Sequence, residues 1–547
     1  MKNPYPFLLI CLLLTATAFA EPPKNFTTNQ TAIIDNTTFI DANKILMFVT
    51  NHGNIGRDLS GYFGYDYGTF FPYDGNPDDI INGNPSAIRS PLYAGGLWLG
   101  GVDASTGDTV LAISEYGSEY VPGPMDNGTF MDDQWYYQVY KLFGDSLASN
   151  PNQDYLDYIN YADEQGAPLN DSDQPEMIGD QMCWAVYNDA DAGKRGDVDG
   201  GLTDPIGIQV KQTVFAFDQM GSLGNTIFLR FRIYNEGTRN LNNFYISIWA
   251  DPDLGGAGDD YVGCDTLNDI GFCYNADGDD NHYAHTPPCL GIKLLQTPLR
   301  PRFISDPDIP GRMWGQTYAD SINIGMVSFN KYINGTDPDN YKESYWYMNG
   351  LDKFGNPYQY NSQTLLYVHS GNPVAGTGDL DFYPADRRFM MTTGPLSFNP
   401  GDSTEIIAAL IVGQGPDRLN SISIMKNIGT VAQDFYDNNF GIPTAVDENV
   451  NSMIPGQFAL KQNQPNPFNP GTNIEFYLPR AGFVEMKIYN ILGELVDEPL
   501  SKHLNPGIHN VYWDGIDSKN KQLPSGIYFY QLNFGNESQT KKMLLMK

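Results

Sequence analysis

Basic residues are scarce in this chain: 32 Lys and Arg stand against 65 Asp and Glu, a formal net charge of -33 over 547 residues. A field of that sign repels nucleic acid and anionic membranes, so no nucleic-acid partner is expected. It favours multivalent cations, basic surfaces and solubility outside the cell, although a solvated acidic face needs no partner at all. Cysteine and histidine are also few, with five and six residues. Beyond the first twenty residues the cysteines are Cys183, Cys264, Cys273 and Cys289, and their spacing fits no zinc motif. An even number in an exported chain permits two disulfides, with Cys264 and Cys273 near enough to staple one hairpin; buried free thiols are the alternative. His282 and His285 lie close to Cys289, but Pro287-Pro288 works against the helix that would align them, and no Glu completes an H-E-x-x-H arrangement. Past the N-terminus no segment approaches the ~20 consecutive apolar residues of a spanning helix, so no transmembrane segment is expected.

Catalytic signatures are missing as well. There is no G-x-S-x-G elbow, no cysteine-protease context and no dinucleotide fingerprint, and Ala192-Gly193-Lys194 lacks the rest of a phosphate loop. Glycoside hydrolysis needs only two carboxylates facing a sugar cleft, which such a sequence does not localise. Trp98, Trp135 and Trp346 are candidates for stacking on glycans, against the commoner role of aromatic side chains as core.

The two ends of the chain are more informative. Residues 1–20 have the three parts of a cleavable signal peptide: Lys2, an apolar run at 7–14, and small residues ending in Ala18 and Ala20 before Glu21. Between 21 and 445 the chain is acidic and rich in the pattern of β-strands, with turns supplied by 56 glycines and 37 prolines. The clearest strands fall at 213–217, 226–234, 244–250, 364–368 and 403–412. The turn Asn235-Glu236-Gly237-Thr238 between two of them reads as a hairpin. Helical turns are expected within 132–147 and 155–163. A longer helix is expected over 417–439, where Leu419, Ile422, Ile424, Ile428, Val431 and Phe435 track one face. A polar linker at 446–456 precedes a near-neutral segment, 457–547. The fold class read from these patterns is all-β: one or two β-sandwich-like units with a minor helical insertion, followed by a C-terminal Ig-like β-sandwich.

The densest carboxylate cluster follows the strand at 244–250. Asp251, Asp253, Asp259 and Asp260 come first, then Asp265 and Asp269, and then Asp277, Asp279 and Asp280 in a loop with Asn275, Gly278 and Asn281. Calcium takes six to eight oxygens, and short Asp-x-Asp loops with glycine let carboxylates and carbonyls converge. Asp251, Asp253, Asp259, Asp260, Asp277 and Asp279 are therefore the candidate calcium ligands, with a structural role for the ion. No Glu completes an EF-hand, and Asp, Asn and Gly are also simply turn residues. Asp189-Ala190-Asp191-Ala192-Gly193, backed by Asp197 and Asp199, has a similar look.

The C-terminal segment carries an ordered series of motifs. Gln464-Pro465-Asn466-Pro467-Phe468-Asn469-Pro470 is a stiff entry. Ile474, Phe476 and Leu478 alternate as one half-buried strand, and Val484, Met486 and Ile488 as another. Trp513-Asp514-Gly515 and Pro524-Ser525-Gly526 precede a closing Lys541-Lys542-Met543-Leu544-Leu545-Met546-Lys547. This series resembles the type A C-terminal sorting domain of the Bacteroidetes type IX secretion system, over about a sixth of the chain. The related Ig-like domain of flagellar hook-capping proteins shares the pattern, but flagellar parts leave the cell without a signal peptide. The resemblance implies transit through the periplasm, recognition by the outer-membrane type IX machinery, secretion or display at the cell surface, and in many members attachment to surface polysaccharide. The function expected of the whole is a non-enzymatic surface or secreted protein serving adhesion, glycan binding or envelope structure. A secreted hydrolase, glycosidase or peptidase, is the alternative.

Overall fold

The computed structural model describes residues 36–441 and 458–545, except 62–67, 77–79, 81–88, 127, 132–133, 145–150, 171, 197, 199, 308, 461–462, 464–467, 469–470, 479–481, 491–494, 505–506, 519–520 and 536. The signal-peptide segment, the linker at 446–456 and most of the Pro-Asn-Pro motif lie outside the described residues.

The central region is built on two large antiparallel sheets. One has eight strands in the order Thr37–Ile40, Met47–Thr50, Ile55–Gly56, Ala94–Asp103, Leu241–Asp251, Arg387–Phe398 and Ser328–Ile333, with Thr109–Ile113 also paired to Ala94–Asp103. The other has nine, ordered Asp260–Asp265, Ile270–Asn275, Cys289–Gln296, Ser403–Gly413, Thr226–Asn235, Ile208–Ala216, Gln181–Asn188 and Val121–Pro122, with Tyr140–Phe143 also paired to Gln181–Asn188. The sheets share one core: Leu97, Leu99, Ile246, Ile248 and Met391 of the first pack with Val210, Leu229, Phe231, Leu290 and Leu410 of the second. The central region is thus one sandwich rather than two.

Continuous apolar strands follow from cover on both faces. In Ser403–Gly413, Ile406, Ala408, Leu410 and Val412 enter the shared core. Ile407, Ala409 and Ile411 face outward, beneath the helix Arg418–Asp437. That helix is the one its periodicity predicts, capped by Asp417, whose carboxylate accepts the N–H groups of Leu419 and Asn420 at 3.0 and 2.9 Å. The helix Tyr341–Met348 covers the first sheet in the same way, over Trp98, Leu111, Trp249 and Met390. Among the described residues no helix is long and apolar enough to cross a membrane.

Three local expectations change. The turn at 235–238 does not close a hairpin: Thr226–Asn235 pairs with Ser403–Gly413 and Ile208–Ala216, whereas Leu241–Asp251 pairs with Ala94–Asp103 and Arg387–Phe398. The turn instead carries the chain across the core from one sheet to the other. Asn235 holds it there, its amide donating to the carbonyls of Arg239 and Phe398 at 3.0 Å each. Within 132–147 the described residues form the strand Tyr140–Phe143, while the helical turns at 155–163 are present as Gln153–Asp157 continued through Tyr158–Ala162 and Asp163–Gln165. Of 364–368, only Thr364 and Leu365 are strand, as part of Gln363–Leu365 in a two-stranded ladder with Tyr358–Tyr360.

Among the described residues the C-terminal segment has seven strands. Ala459–Leu460, Thr472–Leu478 and Gly507–Trp513 form one sheet; Leu495–Leu504, Gly482–Asn490, Gly526–Phe534 and Glu537–Leu545 form the other. Ile474, Phe476, Trp513, Val484, Met486, Tyr530 and Leu532 make their common core. The Trp513 indole donates to Asp497 Oδ2 at 3.0 Å, which satisfies its polar edge.

Candidate functional site

The apolar run that forms the strand Leu241–Asp251 ends where Pro252, with no N–H to give, cannot continue the ladder. Asp251 is thereby fixed at the strand's end. It stands opposite Ala94 on one side, and its carbonyl accepts the Tyr93 N–H at 2.9 Å. On the other side Ala250 stands opposite Phe389, a register that brings Asp386 and Arg388 alongside. The result is a group of three acids: one carboxylate oxygen each of Asp251, Asp253 and Asp386 lies within 4.8 Å of the others.

Arg388 and Tyr116 hold this group from behind. The Tyr116 hydroxyl donates to Asp251 Oδ2 at 2.5 Å, and Arg388 Nε donates to that hydroxyl at 2.8 Å. The Arg388 guanidinium also pairs with Asp386 Oδ1, and its second terminal nitrogen is 3.5 Å from Asp251 Oδ2. Asp386 Oδ2 accepts from the Asn334 amide at 3.0 Å. Asp251 is only 1% exposed, and its Oδ1 accepts no hydrogen bond from the protein. Burial, then the charge of Asp253, raises the Asp251 carboxyl well above the ordinary carboxylate range, with Arg388 and Tyr116 opposing. Burial and Asp386 raise Asp253 in the same direction. Three carboxylates face one guanidinium in a partly dry site, so each ionisation makes the next more costly.

Of the six acids singled out in the sequence, Asp251 and Asp253 meet here, and the third member, Asp386, was not among them. Asp260, 1% exposed, opens the edge strand Asp260–Asp265 of the nine-stranded sheet, its Oδ2 accepting the Leu254 N–H at 3.0 Å. Asp259 accepts from the Asn275 amide at 3.0 Å. Asp277 and Asp279 stand exposed, Asp277 Oδ1 accepting the Asp279 N–H at 2.9 Å and Asp279 lying 3.2 Å from exposed His285. The remaining acids of this stretch fasten loops. Asp280 accepts the N–H groups of His282, Tyr283 and Gly256 at 2.7, 2.6 and 3.0 Å. Gly255 is needed beside it, since at φ +74° a Cβ there would stand 2.2 Å from Asp280 Oδ1. Asp265 pairs with Lys426 at 2.8 Å and so ties its strand to the covering helix.

The loop at 189–193 is likewise a fastening. Asp189 accepts the N–H groups of Ile206, Gly207 and Ile208 at 2.7, 2.8 and 2.6 Å, and Arg195 bridges it to buried Glu119 at 2.5 and 2.9 Å. Asp197 and Asp199 fall outside the described residues. Trp98 is fully buried and stacked on Trp249, which makes it core; Trp346 is half-buried. Trp135 is 47% exposed and packs edge-on against Tyr161, which stacks on Tyr136 at 5.0 Å. The four cysteines are buried free thiols, so the Cys264 to Cys273 staple is not formed, and in the ladder Cys264 stands opposite Gly271. His369 is a feature its sequence context hides. It lies between Asp379 and Asp381, 3.6 and 3.8 Å away, and burial lowers its pKa to about 4.

Residues 464–546 match the family described as the secretion system C-terminal sorting domain. Among solved structures, FlgD from P. aeruginosa aligns at 21% identity over 14% of this chain and 57% of its own, with a TM-score of 0.12. A polysaccharide lyase aligns at 9% identity over 62% of this chain and 34% of its own, with a TM-score of 0.17. Dimeric latent PorU from Porphyromonas gingivalis aligns at 10% identity over 67% of this chain and 31% of its own, with a TM-score of 0.15. The chain spans less than two thirds of each of these proteins, and superpositions this loose assign neither fold nor function. No curated protein matches it. The C-terminal segment is a sorting domain, and the chain is a type IX secretion substrate, delivered to the cell surface or beyond it.

Proposed function

We propose that this type IX substrate is a non-enzymatic surface protein of the adhesion, glycan-binding or envelope-layer kind, whose acidic sandwich is the cargo and whose C-terminal domain is the address. The observation that carries the reading is how its acids are used. Asp189, Asp280 and Asp381 each accept backbone amides, and Asp381 and Asp103 are also paired with Arg387 and Arg239 at 2.6 Å. Carboxylates committed to backbone amides and guanidinium groups fasten loops and are not free to exchange protons with a substrate. On this reading residues 1–20 are the cleaved signal, 21–445 the functional part, 446–456 a linker and 457–547 the sorting domain. Its direct partners are the outer-membrane secretion machinery and a surface polysaccharide, and its net charge keeps nucleic acid away. Trp135, exposed on the Tyr136 and Tyr161 pair, is the surface best suited to stack on a sugar ring.

One observation favours a secreted hydrolase instead: Asp253 and Asp386 are half-buried carboxylates beside an acid whose pKa is raised, as a general acid requires. Against it, Asp251 itself is too enclosed to touch a substrate. A screen of the purified chain against polysaccharides and surface proteins separates the two. Retention without turnover, weakened at least tenfold by Trp135→Ala, is expected. Release of sugars or peptides that Asp253→Asn abolishes would overturn the non-enzymatic reading.

A further inference from the structure

We propose that Asp251, Asp253 and Asp386 hold one calcium ion, which clamps the end of the strand Leu241–Asp251 to the start of the neighbouring strand Arg387–Phe398. The assignment does not depend on what the sandwich binds. The first argument is distance. Oxygens bound to one calcium at ~2.4 Å are at most about 4.8 Å apart, and the three carboxylate oxygens lie within 4.8 Å of one another. The donors therefore meet the upper limit that a shared ion sets on their separation.

Charge gives the second argument. The three carboxylates of the group outnumber Arg388, which Asp337 also approaches at 4.0 Å, and a divalent cation lowers that excess of negative charge. The donor set is all oxygen, with neither histidine nor cysteine in the group, which selects a hard cation over zinc or copper.

An unsatisfied acceptor gives the third. Asp251 Oδ1 accepts no hydrogen bond although its residue is 1% exposed, and a buried carboxylate oxygen is rarely left so. Its partner oxygen, Oδ2, is held by Tyr116 and approached by Arg388, the support that metal-ligating carboxylates ordinarily receive. Oδ1 is the oxygen left for an ion. Calcium suits the site better than magnesium. Asp251 ends a strand, Asp253 lies in the loop after it and Asp386 precedes another strand. Calcium accepts such irregular ligands and completes its sphere with water or carbonyls, whereas magnesium demands a near-ideal octahedron.

The experiment uses the full mature chain, stripped with chelator and desalted, with calcium binding read by titration calorimetry and by terbium luminescence, which Tyr116 beside the site would sensitise. One calcium per chain should bind, and the thermal midpoint should rise. Asp253→Asn and Asp386→Asn should each weaken binding at least tenfold and lose the calcium-dependent rise. Without calcium Asp253→Asn should melt no lower than the parent, because it removes a like charge and breaks no ion pair with Arg388. Asp279→Asn, exposed in the loop at 276–282, should bind as the parent does. The assignment would be overturned if the parent bound no calcium, if magnesium bound as tightly, or if Asp279→Asn lost binding while Asp253→Asn and Asp386→Asn kept it.

Discussion

Arg195 shows what a single residue does in so acidic a protein. Its guanidinium lies between Glu119 and Asp189, whose side chains are 0% exposed, and it also donates to the carbonyls of Leu111 and Asp189. Asp189 has three amides besides and Glu119 two, those of Leu202 and Ile113, and burial raises the Glu119 carboxyl above the ordinary range while Arg195 opposes the rise. Removing one partner of a buried pair leaves the other charge without compensation, at about 3–5 kcal/mol. Arg195→Met should therefore destabilise the sandwich by about that much, read as a fall in thermal midpoint at neutral pH. Arg230→Met offers a comparison, because Glu405 keeps a second partner in Arg232 at 2.9 Å and the loss there should be smaller. None of this is written locally in the sequence. Asp189 sits in an Asp-x-Asp turn that looks like a cation loop, and only the fold shows its oxygens already taken by 206–208. Asp386 illustrates the converse. It stands 135 residues from Asp251 and joins it only through the register of two adjacent strands, so no spacing rule could have found it.

At the level of elements, legibility depended on whether the signal was local. The helix Arg418–Asp437 was visible because its cap and its buried stripe lie within one continuous segment: Ile422, Ile428, Val431 and Phe435 are buried as the periodicity requires, and Leu419 and Ile424 flank them half-buried. Met425 and Ala432 complete the buried face. The crossing at 235–238 was misread because a turn rich in Asn and Gly serves a hairpin and a sheet-to-sheet arch equally well. What decides is the pairing of Thr226–Asn235 with Ser403–Gly413, contributed from some 170 residues away. The helix also supports a quantitative expectation. Asp417 satisfies two of the N–H groups that a helix start leaves without partners, so Asp417→Ala should cost about 1 kcal/mol and Asp417→Asn almost nothing. Amide exchange is the sensitive readout. Leu419 and Asn420 should lose protection in the alanine variant while the amides from 425 onward, pinned against the sheet, keep theirs. Uniform loss along the helix would mean that the cap governs docking as well as the first turn.

At the scale of the whole molecule the two parts differ in charge as well as in role. The sandwich carries the negative charge, whereas the C-terminal segment is close to neutral and carries Lys541 and Lys542 in its last strand. Its apolar alternation was legible, with Ile474, Phe476, Leu478, Val484, Met486 and Ile488 all fully buried. Among the described residues that core, Phe458 to Leu545 in sequence, is assembled from its own segment, and the sandwich cores draw on residues before 442. A chain whose two parts keep separate cores should tolerate loss of the smaller one without unfolding the larger. Deleting residues 457–547 should therefore leave a folded acidic sandwich that crosses the inner membrane and accumulates in the periplasm, read by fractionation and by surface protease accessibility in a cell with a functional type IX system. Grafting the same residues onto a periplasmic reporter should carry the reporter to the surface. Normal surface delivery of the truncated chain would mean that the sandwich holds its own address. An unfolded truncation, seen as rapid proteolysis in the periplasm, would mean instead that the sorting domain also stabilises its cargo, and the graft would then be the test of sorting alone.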